Sequence, residues 1–183
     1  MKDIVVEAKK IAEKAHAGVF RKWSDPPQPY IVHPTRVANK VASLQGMTPV
    51  DVAAAWDHDV CEDAPSAAEK DHYARLIEKE CGVDVLTLVM ELTFPTEGAE
   101  WLHKPRAEKN VIRYRQMEAM SKRAQRIKMV DRWDNLNDMD NAPQRLIQKT
   151  VDESYRLLEI CRGADEKMAA ELKKVIDQRA KGK

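Results

Sequence analysis

Apolar residues recur along this chain with the spacing of helices rather than strands. In residues 3–17, Ile4, Val5, Ala8, Ile11, Ala12 and Ala15 fall on one side of a 3.6-residue spiral, and Gly18 supplies a stop. Pro26, Pro27 and Pro29 break the next stretch, so residues 21–30 read as a loop. His33-Pro34 then opens a second helix that Gly46 ends. Thr48-Pro49 offers an N-cap and a first-turn proline. It predicts a helix through Ala53, Ala54 and Ala55 to His58-Asp59, fraying near Pro65. Ser66 with Glu69 has the spacing of a capping box for a helix reaching Cys81-Gly82. Residues 83–92 are apolar and helical, whereas residues 94–103 carry Pro, Gly and Thr and read as a mobile loop. Helices follow over roughly 105–120 and 121–139, another starts at Pro143, and a charged one runs from about 165 to 180. The expectation is a single compact all-α domain over residues 1–183, with about eight to ten helices, a core over 3–162 and a C-terminal helix over 165–181. The two loops at 21–30 and 94–103 are left to rim a substrate site.

Composition narrows this picture. A length of 183 residues suits about one domain, and 33% charged with 43% hydrophobic residues suits amphipathic helices. Aromatics at 5% speak against a β-sandwich or barrel. A net charge of +1 gives no bulk signal for nucleic acid or a membrane surface, and no apolar run approaches the roughly 20 residues of a membrane span. MKDIVVEAKK carries acids early and lacks a signal-peptide core. Cys61, Cys81 and Cys161 are odd in number, far apart and without a CxxC pair, which argues against a disulfide framework or thiolate zinc site and for a reducing cytoplasm. Nucleic acid and membrane are not expected partners, and the oligomeric state is left open.

The chemistry concentrates in Trp56-Asp57-His58-Asp59-Val60-Cys61-Glu62-Asp63. Adjacent helical residues point about 100° apart, so His58 and Asp59 both reach one ion only at the helix flank. Glu62 and Asp63 follow them by four residues, one turn on, over the same faces. So many acids after an Ala-rich run are costly unless a cation or substrate uses them. His33, after the apolar pair of PYIVHP, and Asp131, after the apolar run of IKMVDRWDNL, supply further ligands. Two imidazoles with two carboxylates suit Mn²⁺, Fe²⁺ or Zn²⁺ and leave positions for water and a phosphate oxygen, with Glu62 and Asp63 placed to move protons. Between Lys104 and Lys128, nine basic side chains face two acidic ones, a local excess that suits a multiply phosphorylated substrate. Cys61 reads as a small buried residue, Trp56, Trp133, Met129 and Met139 as core or pocket wall, and His16 as a helix cap or packing group.

The segments AHAGVFRK, PYIVHP, HDVCED and KMVDRWDNL, in that order, resemble the HD-superfamily hydrolase domain of RelA/SpoT-type enzymes, above all the stand-alone small alarmone hydrolases. The resemblance spans about residues 8–160. It implies that His33, His58, Asp59 and Asp131 hold a divalent ion, usually Mn²⁺, and that Glu62 and Asp63 orient water and shuttle protons. It implies Arg21 and Lys22 against a guanine base, Asn135 as a nucleotide contact, and Lys104 and Arg106 facing phosphates. The implied reaction removes the 3′-diphosphate of ppGpp or pppGpp. Four positions depart from the family pattern: Trp56-Asp57, Trp133-Asp134, Phe94 where a Lys is common, and an Asp-Pro-Pro within residues 23–28. All lie near the expected base and phosphate pockets. They leave open a different nucleotide, such as a ppApp-like alarmone, a dNTP or NADPH, and a module that binds a nucleotide without turnover.

Overall fold

The structure, a computed structural model, describes residues 2–95, 101 and 103–182. Among them the chain forms nine α-helices and no strand; extended backbone pairs only in an isolated bridge between Phe20 and Pro29. The helices are α1 (Ile4–Ala15), α2 (Val32–Ser43), α3 (Pro49–Asp57), α4 (Ala67–Cys81), α5 (Val83–Leu92), α6 (Arg106–Ala119), α7 (Lys122–Asn137), α8 (Gln144–Cys161) and α9 (Glu166–Ala180), with a 3-10 turn at Arg162–Ala164 before the last. The all-α expectation holds.

Local chemistry sets most of the boundaries. The Asp3 carboxylate accepts the N–H groups of Val5 and Val6 and opens α1. Thr48 and Asp51 close a reciprocal capping box around Pro49. Ser66 accepts the Glu69 N–H to start α4, and Gly82, at φ 97°, ends it in a conformation that side chains disfavour. Asp165 caps α9 through the Met168 N–H.

α1 packs on α3 and α4, α2 and α5 pack on α3, and α6 lies on α8. α7 runs through the middle, touching α2, α3, α5, α8 and α9. It buries Ala124, Ile127, Met129, Val130 and Leu136 around its whole circumference, which an amphipathic surface helix would not do. Its polar residues Lys128, Asp131, Asp134 and Asn135 therefore point at other elements rather than at bulk water.

Two expectations are corrected. Regular helix stops at Asp57, and His58 to Asp63 form successive turns held by Val60 N–H to Asp57 C=O (3.0 Å) and Asp63 N–H to Asp59 C=O (2.8 Å). The His58 ring takes the Ala55 carbonyl at 2.8 Å, a typical side-chain competition with helix continuation. Of the loop expected over 94–103, residues 96–100 and 102 lie outside the described residues. Phe94 is not a mobile rim residue: it is 5% exposed, and its N–H donates to Glu62.

Candidate metal centre and adjoining cleft

His33 sits in the first turn of α2, His58 and Asp59 just past the end of α3, and Asp131 midway along α7, which packs on both helices. That packing brings four side chains together. His33 Nε2 lies 3.2 Å from His58 Nε2, 3.4 Å from Asp59 Oδ2 and 3.3 Å from Asp131 Oδ1. His58 Nε2 lies 3.1 Å from Asp59 Oδ2 and 3.7 Å from Asp131 Oδ1. His33, His58 and Asp131 form a group with ligand atoms all within 4.8 Å of one another, and Asp59 joins through its contacts with both imidazoles.

The donor set fits a divalent cation. His33 Nδ1 faces Asp134 Oδ2 at 2.7 Å, and His58 Nδ1 faces the Ala55 carbonyl at 2.8 Å. Both partners accept only, so each Nδ1 carries the hydrogen, and in the neutral rings both Nε2 lone pairs converge. Two lone pairs and two carboxylates aimed at one point repel one another unless something positive lies between them. Ligands at right angles about 2.1 Å from an ion stand about 3 Å apart, close to the separations seen here.

The titration of these groups says the same. Burial disfavours charge on His33, but Asp131, Asp134 and Asp59 overcome it and raise its pKa to about 9. Burial also opposes charge on His58, yet Asp59 and Asp131 push it well above the usual imidazole range. Against burial, His58 and His33 hold Asp59 well below the usual carboxylate range, and Lys128 with the two histidines does so for Asp131. With only protons available, the cluster retains positive charge on its imidazoles.

A buried lysine and two half-buried groups hold its carboxylates. Lys128 Nζ stands 2.9 Å from Asp131 Oδ2, Asn135 Nδ2 donates to Asp131 Oδ1 at 2.5 Å, and the Tyr30 hydroxyl donates to Asp59 Oδ2 at 2.7 Å.

Two cavities open beside the cluster and share Tyr30, Asp63, Arg132 and Asn135. The outer one, about 560 Å³, is walled by His16, Phe20, Arg21, Lys22 and Trp23 with Asp138. The inner one, about 250 Å³, holds Asp59, Glu62, Asp131, Phe94, Arg113 and Lys128. Arg21 does not hang free: it donates to Asp138 at 2.7 Å and Asn135 at 2.9 Å, and its guanidinium lies 5.3 Å from the centre of the Tyr30 ring. Burial raises Glu62, and burial with the Asp59 and Glu62 charges raises Asp63 to about 6, where proton exchange near neutral pH is easy.

Not every residue singled out from the sequence reaches the cleft. Lys104 and Arg106 line neither cavity, and Arg106 is ion-paired with Glu153. Within the same basic stretch, Arg123 pairs with Asp51 and Arg126 with Asp165, so much of the excess charge fastens helices together. Arg113 and Arg132 stand in the inner cavity instead. Among the described residues the Nε of each is buried without a hydrogen-bond partner, and Arg113 lies 5.6 Å from both the Phe94 and Trp101 ring centres. One sign of this is visible along the chain: Arg132 directly follows Asp131. Of the two residues that back His33, Arg36 carries no such sign, and Asp134 stands out only as a departure from the family pattern.

The chain matches the HD domain family over residues 8–158. It is 33% identical over 155 residues to the guanosine-3′,5′-bis(diphosphate) 3′-pyrophosphohydrolase of Haemophilus influenzae, covering 79% of this chain and 20% of that protein. It is 29% identical over 156 residues to guanosine-3′,5′-bis(diphosphate) 3′-pyrophosphohydrolase MESH1 of Xenopus tropicalis, covering 84% of this chain and 79% of that one. The chain thus spans a fifth of the first relative and about four-fifths of the second. A solved metazoan ortholog of SpoT that hydrolyzes ppGpp shares the fold, with a TM-score of 0.81 over 98% of this chain and 97% of that one at 24% identity.

Proposed function

The chain belongs to the HD domain family, and on that premise we propose that it is a Mn²⁺-dependent phosphohydrolase that removes the 3′-diphosphate of ppGpp or pppGpp, leaving GDP or GTP and pyrophosphate. The names of its relatives support the substrate class. One observation carries the reading: two Nε2 lone pairs converge with two carboxylates at the edge of a cavity that holds Glu62, Asp63 and two guanidiniums whose Nε has no partner among the described residues.

His33, His58, Asp59 and Asp131 are the residues to hold the ion. When bound, it supplies Lewis acidity and lowers the pKa of water. The chain's own groups do the rest. Arg21, fixed by Asp138 and Asn135, and Lys22 present the base-binding surface of the outer cavity. Arg113 and Arg132 bind the phosphate oxygens, taking the place expected of Lys104 and Arg106. Water's oxygen bonds to the phosphorus attached to the 3′ oxygen, and the bond between that phosphorus and the 3′ oxygen breaks. Asp63 and Glu62 accept the proton that the water gives up, and the departing 3′ oxygen is protonated in turn.

The test is a nucleotide panel with Mn²⁺ present, read by mass spectrometry of the products. Pyrophosphate with GDP from ppGpp is expected, and His58→Ala is expected to fall to background while keeping a helical circular dichroism spectrum. Turnover of another nucleotide alone, such as ppApp, a dNTP or NADPH, would reassign the substrate. Tight nucleotide binding with no product over hours would make the protein a binding module.

A further inference from the structure

Behind His33 lies a second layer of charge that nothing in the reaction requires. Asp134 is 2% exposed and uses both oxygens. Its Oδ2 faces His33 Nδ1 at 2.7 Å and accepts Arg36 Nη2 at 3.0 Å, while its Oδ1 accepts Arg36 Nε at 2.6 Å. Arg36 extends on to Asp138 at 3.2 Å, and Asp138 holds Arg21. Two arms thus run inward from Arg21. One passes through Asn135 to Asp131, and the other through Asp138, Arg36 and Asp134 to His33. A carboxylate buried this completely is costly unless its charge is used, and the bidentate guanidinium holds it at one angle.

We infer that Asp134, clamped by Arg36, is a positioning residue that presents His33 Nε2 to the divalent ion. This rests on the metal reading above. An Nδ1–H bound to a carboxylate fixes the ring's tautomer and orientation and makes Nε2 the more basic ligand. His58 has only the neutral Ala55 carbonyl behind it, so the two imidazoles are not equivalent. His33 is the one strengthened by charge.

The experiment measures Mn²⁺ alone binding to the metal-stripped full chain by calorimetry, in wild type, Asp134→Ala, Asp134→Asn and His58→Ala, beside the activity at saturating Mn²⁺. Asp134→Ala is expected to weaken Mn²⁺ about 10- to 100-fold. Asp134→Asn, which keeps an acceptor for Nδ1–H and nearly the same shape, is expected to lose less. Turnover at saturating Mn²⁺ should recover to within about tenfold of wild type in both, a split that a general loss of structure would not give. If Asp134→Ala fails to fold, Asp134→Asn carries the same comparison. Mn²⁺ affinity within about twofold of wild type in the variants, with none in His58→Ala, overturns the role of Asp134 and leaves the metal reading standing. A wild type that takes up no Mn²⁺ overturns both.

Discussion

Around the four converging ligands, every charged group is answered. Asp131 has Lys128 and Asn135, Asp59 has Tyr30, and His33 has Asp134 with Arg36 behind it. In the inner cavity next door, Arg113 and Arg132 have no carboxylate partner among the described residues, and each keeps a buried Nε unbonded. The first region fits the cation proposed above, with two carboxylates beside two imidazoles. The second leaves one Nε donor of each guanidinium without a partner among the described residues. A protein seldom leaves a buried guanidinium nitrogen unpaired without a use for it, so the contrast separates ion from substrate at neighbouring points.

Glu62 lies on the border, and its replacement tests the contrast most severely. Its Oε2 accepts the Phe94 N–H at 3.2 Å, and it lines the inner cavity rather than joining the ligand group. Glu62→Gln keeps size and one acceptor oxygen while removing the proton-accepting charge. Turnover is expected to drop at least about a hundredfold, with Mn²⁺ affinity unchanged. A matching loss of Mn²⁺ binding in the same titration would place Glu62 with the ion instead.

The guanidiniums give the next largest effect. A charge-assisted hydrogen bond contributes about 1.5–3 kcal/mol, so Arg113→Ala or Arg132→Ala should each lower kcat/KM about tenfold to a hundredfold. Arg106→Ala, whose half-exposed side chain lines neither cavity and pairs with Glu153 at the inner cavity's edge, should change it less than about threefold. Steady-state kinetics on the three variants decides the matter, and equal effects would erase the distinction between cavity and surface.

Much of the scaffold is legible in the sequence because its signals are local. Thr48-Pro49, Ser66 and Gly82 act within one turn of themselves, and the helices they bound form where their chemistry places them. Residue type alone offers His33 and Asp131 as candidates beside His58-Asp59, and the resemblance makes the grouping specific, since residues 33 and 131 meet by packing of α2 on α7. The helix end at Asp57 is hidden because the ring of His58, not a proline or glycine, takes the Ala55 carbonyl. Charge counting along residues 104–128 finds the excess but cannot sort it. Arg123 and Arg126 go to carboxylates on distant segments, and Arg113 goes to an aromatic shelf made by Phe94 and Trp101. Arg36 and Asp134 stand 98 residues apart, so their pairing leaves no local trace.

The outer cavity carries a smaller, pH-dependent effect. His16 is 5% exposed, stacks on Tyr30 at 4.6 Å between ring centres, and leaves Nε2 without a partner. Burial pushes its pKa down from 6.5 to about 4. Above 6.5 the ring is neutral in folded and unfolded chains alike and costs nothing. Between 6.5 and 4 the unfolded chain binds a proton that the folded one refuses, so stability falls as pH falls. One proton accounts for at most about 1.4 kcal/mol per pH unit. His16→Phe should flatten this part of the stability curve in urea unfolding at several pH values, and an unchanged slope would show that other groups set it.

The smallest effect concerns Asp57, one residue before His58. Both of its carboxylate oxygens are buried and unbonded, and burial drives its pKa well above the usual 3.8. Asp59, two residues on, is driven the other way by the imidazoles beside it. Two acids two residues apart are thus shifted in opposite directions, Asp59 by the imidazoles it touches and Asp57 by burial without a hydrogen-bond partner among the described residues. Because the folded pKa is raised, Asp57 lowers the stability of the fold as pH rises above 3.8, where the unfolded chain gives up its proton first. Asp57→Val, of similar volume, removes the unbonded oxygens and should stabilise the protein by about 1 kcal/mol, or roughly 2–4 °C in Tm, at neutral pH. Mn²⁺ affinity should not move. Weaker Mn²⁺ binding in the variant would show that the Asp57 carboxylate does reach the ion and that the cluster extends one residue further back than its geometry indicates, whereas a lower Tm with unchanged Mn²⁺ binding would show that the buried oxygens stabilise the fold.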